Sequence, residues 1–300
     1  MRSRPLVLLL VLFIAACTQT SIQRRQPEDV FDGDRAFEHV KQQMEFGPRP
    51  SGSLAIDETR SYFENELQSL GWTVEFQEFK HNGITCQNII ARLPSEPQDE
   101  AVLLIGAHYD TRWQADLDPD YPEQPVPGAN DGASGTAVLL ELARTLNTGD
   151  SRVWLVFFDA EDNGSLPGWD WILGSSHFVE QLTTPIRSVI IVDMVGDKDL
   201  DIYYERNSDL ELQQQIWEAA ADLGYSDVFI PLPRHSILDD HTPFLRKGIQ
   251  AVDIIDFDYP FYHTTEDTLD KISSLSLEIV GRTVEYYIES RSLDSLSSSE

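Results

Sequence analysis

A chain of 300 residues, 41% hydrophobic and 24% charged, is long enough for one large α/β domain with a sizeable core and has the make-up of a soluble globular protein. Fifty-one acids against 22 bases leave a formal net charge of -29. Such a surface repels phosphate backbones, which argues against nucleic acid as a partner and reads most simply as a solvated exterior.

The first residues read as a targeting signal, not as part of the fold. Arg2 and Arg4 precede a continuous apolar run, Leu6 to Ala16. That run is too short to cross a bilayer as a helix and has the length of a signal-peptide core. It ends Ile14-Ala15-Ala16-Cys17, which resembles a bacterial lipoprotein cleavage box. Residues 1–16 are therefore expected to be removed and Cys17 to carry lipid, with residues 17–30 as a polar tether. An exported chain would then touch the membrane through its anchor alone, on the extracellular or periplasmic face. With Cys17 lipidated, Cys86 has no partner for an intramolecular disulfide, and its place just before an apolar strand reads as a buried structural thiol.

Beyond the tether, apolar residues at helical spacing predict helices over Phe31 to Phe46 and Leu54 to Leu70, with Gly47-Pro48-Arg49-Pro50-Ser51-Gly52 as a rigid loop between them. Gly71 closes the second helix, and Trp72 to Phe79 alternates like a half-buried strand. Asn88 to Leu93 is a second strand. Three apolar runs, Ala101 to Ala107, Val153 to Phe158 and Val189 to Val192, look like strands buried on both faces, and Ile249 to Ile255 is a further strand. Helices are expected over Gly135 to Leu146, Gly174 to Gln181, Asp209 to Gly224, Thr242 to Lys247 and Leu275 to Glu289. No repeat or linker divides the pattern. It predicts one α/β domain over residues 31–290, a three-layer sandwich with a central mixed, mostly parallel sheet flanked by helices, and a polar tail over 291–300.

Chemistry-bearing residues stand at the ends of those strands. The first apolar run leads into His108-Tyr109-Asp110, the second into Asp159-Ala160-Glu161-Asp162, and the third into Asp193. Ile249 to Ile255 leads into Asp256, with His263 in the loop beyond. Sites in open α/β sheets form just past the carboxyl ends of strands, so these side chains can meet in one crevice. Two histidines with three or more carboxylates suit Zn²⁺, which takes both in tetrahedral geometry. Singly, each acid reads as a solvated loop residue and His108 as a hydrogen-bonded rim histidine. Their recurrence at successive strand ends is what points to a metal.

His108-Tyr109-Asp110-Thr111, the run Gly128 to Gly135, Phe157 to Asp162, Asp239-Asp240-His241 and Tyr262-His263-Thr264 occur in that order along almost the whole expected domain. Together they resemble the zinc aminopeptidase and glutaminyl cyclase superfamily, and within it the bacterial glutaminyl-peptide cyclotransferases. The resemblance implies one zinc ion on Asp131, Asp162 and His263, with His108 and Asp193 as further ligands where a second is held. It implies Glu161 as general acid/base, Asp193 as a further catalytic residue, and Asp240 as an active-site carboxylate in a proton-bearing hydrogen-bond network. Two positions depart from the pattern. Asp162 stands where many members have Glu, and Tyr262 where cyclases often place Trp.

The substrates so implied are peptides or proteins with a free N-terminus, glutamine preferred. A cyclase closes an N-terminal glutamine onto its own side-chain amide and releases ammonia, with Glu161 carrying the proton. An aminopeptidase uses the same Glu161 to activate water and cut the first peptide bond. The loop from Thr111 to Asp120 and the Trp169-Asp170-Trp171 segment resemble those of bacterial cyclases. Trp113, Trp169, Trp171 and Tyr262 are accordingly expected to wall a small pocket that excludes water, although each Trp equally suits a cover for the core edge. A peptide-binding lipoprotein without catalysis is a third reading, opposed by Glu161 beside a full ligand set. No Gly-x-Ser-x-Gly elbow supports a serine hydrolase.

Overall fold

The computed structural model describes residues 30–94, 101–146 and 152–297. The leader, Cys17 and all but the last residue of the expected tether lie outside the described residues. Helix α1 spans Gly33–Phe46, capped by the Asp32 carboxylate, which accepts the Asp34 and Arg35 N–H groups. Helix α2 spans Leu54–Ser69, with Ser53 as its cap. Strands β1 (Thr73–His81) and β2 (Ile84–Arg92) follow as a hairpin. Its turn is Asn82-Gly83, both at positive φ (50° and 80°), the dihedrals that suit the twist of a two-residue hairpin. This corrects the expected start of the second strand. Pairing runs down to His81 opposite Ile84, so the ladder takes in Ile84 to Gln87, which apolar content alone leaves out.

Strands β3 (Val102–His108), β4 (Val153–Phe158) and β5 (Ile186–Asp193) alternate with helices α3 (Ala133–Thr145) and α4 (Leu173–Gln181). Beyond them come β6 (Ile202–Tyr204), α5 (Leu210–Asp222), β7 (Phe229–Pro233), α6 (Thr242–Arg246), β8 (Gln250–Ile255) and α7 (Ser274–Ser297). The main sheet runs β1-β2-β4-β3-β5-β8, parallel from β4 to β8 and antiparallel at the β1–β2 edge. It is the mixed, mostly parallel sheet flanked by helices that the alternation predicts. β6 and β7 form a separate parallel pair. At three and five residues they are too short to show a period. α7 continues past Glu289 to Ser297, into the segment read as a polar tail.

Period-2 geometry divides the sheet's side chains between two cores. Leu103, Ile105, Ala107, Leu155, Phe157, Ile190 and Val192 pack with α1, α3, α5 and α7. Leu104, Val156, Phe158, Val189 and Ile191 pack with Phe178 of α4 and Phe244 of α6. Among the described residues no helix is long and apolar enough to cross a membrane. Because β4, β3, β5 and β8 run the same way, His108, the loop after Phe158, Asp193 and the loop after Ile255 leave one edge of the sheet together.

Helix α3 starts against that edge, and Gly135 permits the approach. A Cβ there would lie 2.1 Å from the Val192 carbonyl oxygen, a main-chain atom of β5 that the ladder holds in place. Gly135→Ala should gain about 1 kcal/mol of helix propensity and lose about 1–3 kcal/mol to overpacking. The expected net result is a lower urea midpoint. A variant at least as stable as the parent would show that the helix end has room to move.

Candidate metal centre

Two triads lie at this edge. His108, Asp131 and Asp193 form one, Asp131, Asp162 and His263 the other, and each offers ligand atoms within 4.8 Å of one another. All five residues are buried. His108 Nε2 is 3.1 Å from Asp131 Oδ1 and 3.0 Å from Asp193 Oδ1. His263 Nε2 is 2.8 Å from Asp162 Oδ1 and 3.7 Å from Asp131 Oδ2. Asp131 thus turns one oxygen to each triad.

The residues fit a metal. Asp131 Oδ2 and Asp162 Oδ2 are buried without a hydrogen-bond partner, a condition that costs free energy unless a cation completes them. His108 Nδ1 faces the Asp110 carbonyl at 3.1 Å, so its N–H donates there and Nε2 is left for the ion. Asp131, Asp162 and His263 would hold one zinc, and His108 and Asp193 would complete a second site with Asp131.

A ring of mostly buried groups sets these ligands. Asp267 accepts the N–H groups of Asn130 (2.8 Å) and Asp131 (3.1 Å) and the Tyr259 hydroxyl (2.8 Å), fixing the loop before α3. Asp110 accepts the Glu161 N–H at 3.0 Å. Arg112 donates to the Asp162 carbonyl at 2.6 Å and pairs with Asp116, which lies 3.7 Å from His263 Nδ1. The His263 ring stacks on Tyr262, with Trp171 nearly parallel to it 5.9 Å away.

Burial dominates the protonation of this cluster. It pushes the Asp162 carboxyl up to about 6, reinforced by Asp131 and opposed by His263. It pushes Asp193 to about 7 against the pull of His108. Glu161 rises well above the ordinary carboxylate range through burial, with the neighbouring Asp239 next in weight. For Asp131 the hydrogen bond from His108 and the charges of both histidines overcome burial, and its carboxyl is lowered.

The cavity beside the triads measures about 210 Å³. Asp131, Glu161, Asp162, Asp193 and Asp239 line its polar side, and Trp171, Met194, Ile237, Phe257 and Tyr262 its apolar side. Trp171 and Tyr262, two of the four aromatic residues expected at a pocket wall, line this cavity. Trp113 and Trp169 do not line the cavity. Trp113 is at the surface, its main-chain N–H donating to Asn163 Oδ1, and Trp169 packs against His81 of the hairpin, 4.9 Å between rings. Of the two adjacent acids, Asp239 and not Asp240 lines the cavity with Glu161. Asp240 is wholly buried one residue further on, where the chain has turned away from the cavity. Two adjacent acids leave the sequence ambiguous by one residue. Asp110, Asp116 and Asp267 were also missed as supports. Asp110, two residues after His108, carried the clearest signal.

Imidazoles and carboxylates buried at the carboxyl edge of a mostly parallel sheet, with a further acid facing the cavity, define an α/β metalloenzyme. The chain belongs to peptidase family M28, a zinc-dependent family whose profile matches residues 88–288. Its structure superposes on the Bacteroides thetaiotaomicron glutaminyl cyclase bound to N-acetylhistamine with a TM-score of 0.81 and 32% identity, covering 86% of this chain and 98% of that one. A leucine aminopeptidase precursor from the same organism matches with the same score and identity over 86% and 97% of the two chains. Aminopeptidase YwaD of Bacillus subtilis is 32% identical over 220 residues, 66% of this chain and 43% of its own length.

Two outcomes follow from the shared carboxylate and the raised acids. Asp131→Asn should abolish zinc retention, whereas Asp193→Asn should retain an ion at Asp162 and His263, as read by elemental analysis. Raised Asp162 and Asp193 carboxyls bind protons more tightly in the folded state. Their contribution to stability is present below the ordinary value of 3.8 and is lost as pH rises through about 6 to 7. Zinc needs the same groups ionised. Metal-free protein should therefore melt lower at about pH 8 than at about pH 5, and zinc should raise the melting temperature more at the higher pH. A metal-free melting temperature that climbs over this window in calorimetry would contradict the assignment.

Proposed function

We propose that this chain is a glutaminyl-peptide cyclotransferase that converts N-terminal glutamine to pyroglutamate and releases ammonia. The observation that carries this reading is the cavity: small, walled on one side by Trp171, Met194, Phe257 and Tyr262 and on the other by acids. Its volume falls below the roughly 300–1,000 Å³ of drug-sized ligand sites, so it suits one residue more than an extended peptide. The acidic side suits the cationic α-amine of a free N-terminus. The aromatic side keeps water from competing with an amine folding back on its own side chain.

Zinc held by Asp131, Asp162 and His263 would supply Lewis-acid polarisation of the side-chain amide carbonyl. Glu161 takes the proton from the attacking α-amine and returns it to the departing ammonia. An ordinary carboxylate is a weak base for that task, and burial next to Asp239 raises Glu161 toward the range where both transfers are feasible. Asp193, on the same wall, adds charge near the amine. The turn of Asp131 toward both triads favours a second reading, a two-ion aminopeptidase in which Glu161 serves hydrolysis. The leader supports an exported chain anchored to the membrane through lipid on Cys17.

Purified protein given a glutamine-initiated peptide should shed ammonia, seen as a product lighter by one ammonia in mass spectrometry. Release of free glutamine would establish the aminopeptidase instead, and zinc binding without either product would indicate a peptide-binding protein. Glu161→Gln should keep its zinc while turnover drops by at least about 10²-fold; an active variant would remove Glu161 from the mechanism.

A further inference from the structure

Behind the cavity wall lies a second buried cluster that the metal centre does not use. His241 is wholly buried just before α6. Its Nε2 is 3.3 Å from Glu205 Oε2, and its Nδ1 is 3.8 Å from Asp253 Oδ2. Glu205 follows β6 of the small sheet and Asp253 lies in β8 of the main sheet, so the imidazole lies between the two, with neither ring nitrogen in a hydrogen bond. Both carboxylates are buried.

Glu205 has a further set of partners. Its Oε1 accepts the Ile237 N–H at 2.9 Å, and its Oε2 accepts the N–H groups of Asn207 and Ser208 and the Ser208 hydroxyl. Ile237 and Asp239 are both cavity-wall residues. The Asp239 N–H also points to Thr242 Oγ1 at 3.3 Å, and Asp239 Oδ1 accepts the Asp240 N–H. One carboxylate therefore holds the apolar wall directly at Ile237, and the polar wall through His241 and the turn that follows Asp239.

A buried imidazole–carboxylate arrangement seldom stabilises a fold more than well-packed apolar residues of the same volume. General stability is thus a weak account of why these groups stand here, two residues from the side chain that lines the cavity with Glu161. We propose that Glu205, His241 and Asp253 are positioning residues for the reaction: they hold the 236–239 wall so that Asp239 is kept near Glu161 and Ile237 against the substrate. The inference rests on the role given above to Glu161, and it predicts a division of labour. His241 acts on the Asp239 side alone, whereas Glu205 acts on both sides.

The test is steady-state kinetics of zinc-loaded H241Q, E205Q and the double variant, with zinc content, melting temperature and crystal structures of the parent and H241Q. The substrate is a glutamine-initiated peptide, or an aminoacyl peptide if the parent hydrolyses instead. H241Q should lose about 10- to 100-fold in kcat with KM little changed, because a displaced group near the reacting atoms costs rate more than binding. E205Q should lose kcat and also raise KM. The double variant should be no worse than E205Q, since the two act as a unit. E205D, which keeps the charge, should recover part of the loss. In H241Q crystals the Asp239 carboxylate should have moved relative to Glu161. Wild-type kcat in a folded H241Q, a loss that merely follows zinc or folded fraction, additive effects, or an unmoved Asp239 would each overturn the proposal. A parent inert toward both peptides would instead count against the proposed function, leaving the position of Asp239 in the crystals to judge this inference.

Discussion

Asp131, Asp162 and Asp193 are taken out of water within reach of only two imidazoles, and the cost of removing that charge from solvent has to be offset inside the site. Hydrogen bonds from the histidines offset part of it, but bare oxygens remain on Asp131 and Asp162. A divalent cation removes the conflict, and without one Asp162 and Asp193 hold protons more tightly instead. The same desolvation lifts Glu161, which is how a carboxylate becomes a useful base beside a metal. The candidate ligand set and the proposed acid/base therefore share one buried electrostatic problem.

Holding that much like charge together requires rigid surroundings, and the fold supplies them from several directions. On the metal side, Asp267 fixes the loop before α3, Asp110 fixes the start of the Glu161-Asp162 loop, and Arg112 ties that loop to Asp116. Close contact of α3 with β5 at Gly135 brings Asp131 into the same space. On the cavity side, Glu205 and His241 stand behind Ile237 and Asp239. Asp267, Asp110 and Glu205 come from elements distant in sequence from what they hold, which makes the centre sensitive to packing far from the metal.

Within this family, overall similarity does not separate ring closure from hydrolysis, because a glutaminyl cyclase and an aminopeptidase precursor superpose on this chain equally well. Both chemistries need a polarised carbonyl and a proton carrier in the same places. What differs is whether water or the substrate's own amine meets the carbon, and that is decided by the shape and dryness of the cavity. On the proposed reading, Trp171 and Tyr262, which line that cavity, bear on the choice more than the ligands do.

The sequence by itself determined the alternation of strands and helices and the carboxyl-end placement of His108, Glu161, Asp162 and Asp193, because buried parallel strands are legible as apolar runs and the residues ending them are local. It also carried the set Asp131, Asp162 and His263, through ordered motifs. The short β6–β7 pair escaped, lacking enough residues for a period, although the Asn82-Gly83 turn was a readable hairpin signal. Tertiary structure alone decided which of Asp239 and Asp240 reaches the cavity, since adjacent residues point in different directions once the chain turns. It alone sent Trp113 to the surface and Trp169 against His81, because composition marks an aromatic residue without saying which surface it covers. The pairing of His241 with Glu205 was likewise invisible: 36 residues separate them in the chain, and only the packing of the small sheet against the large one brings them together.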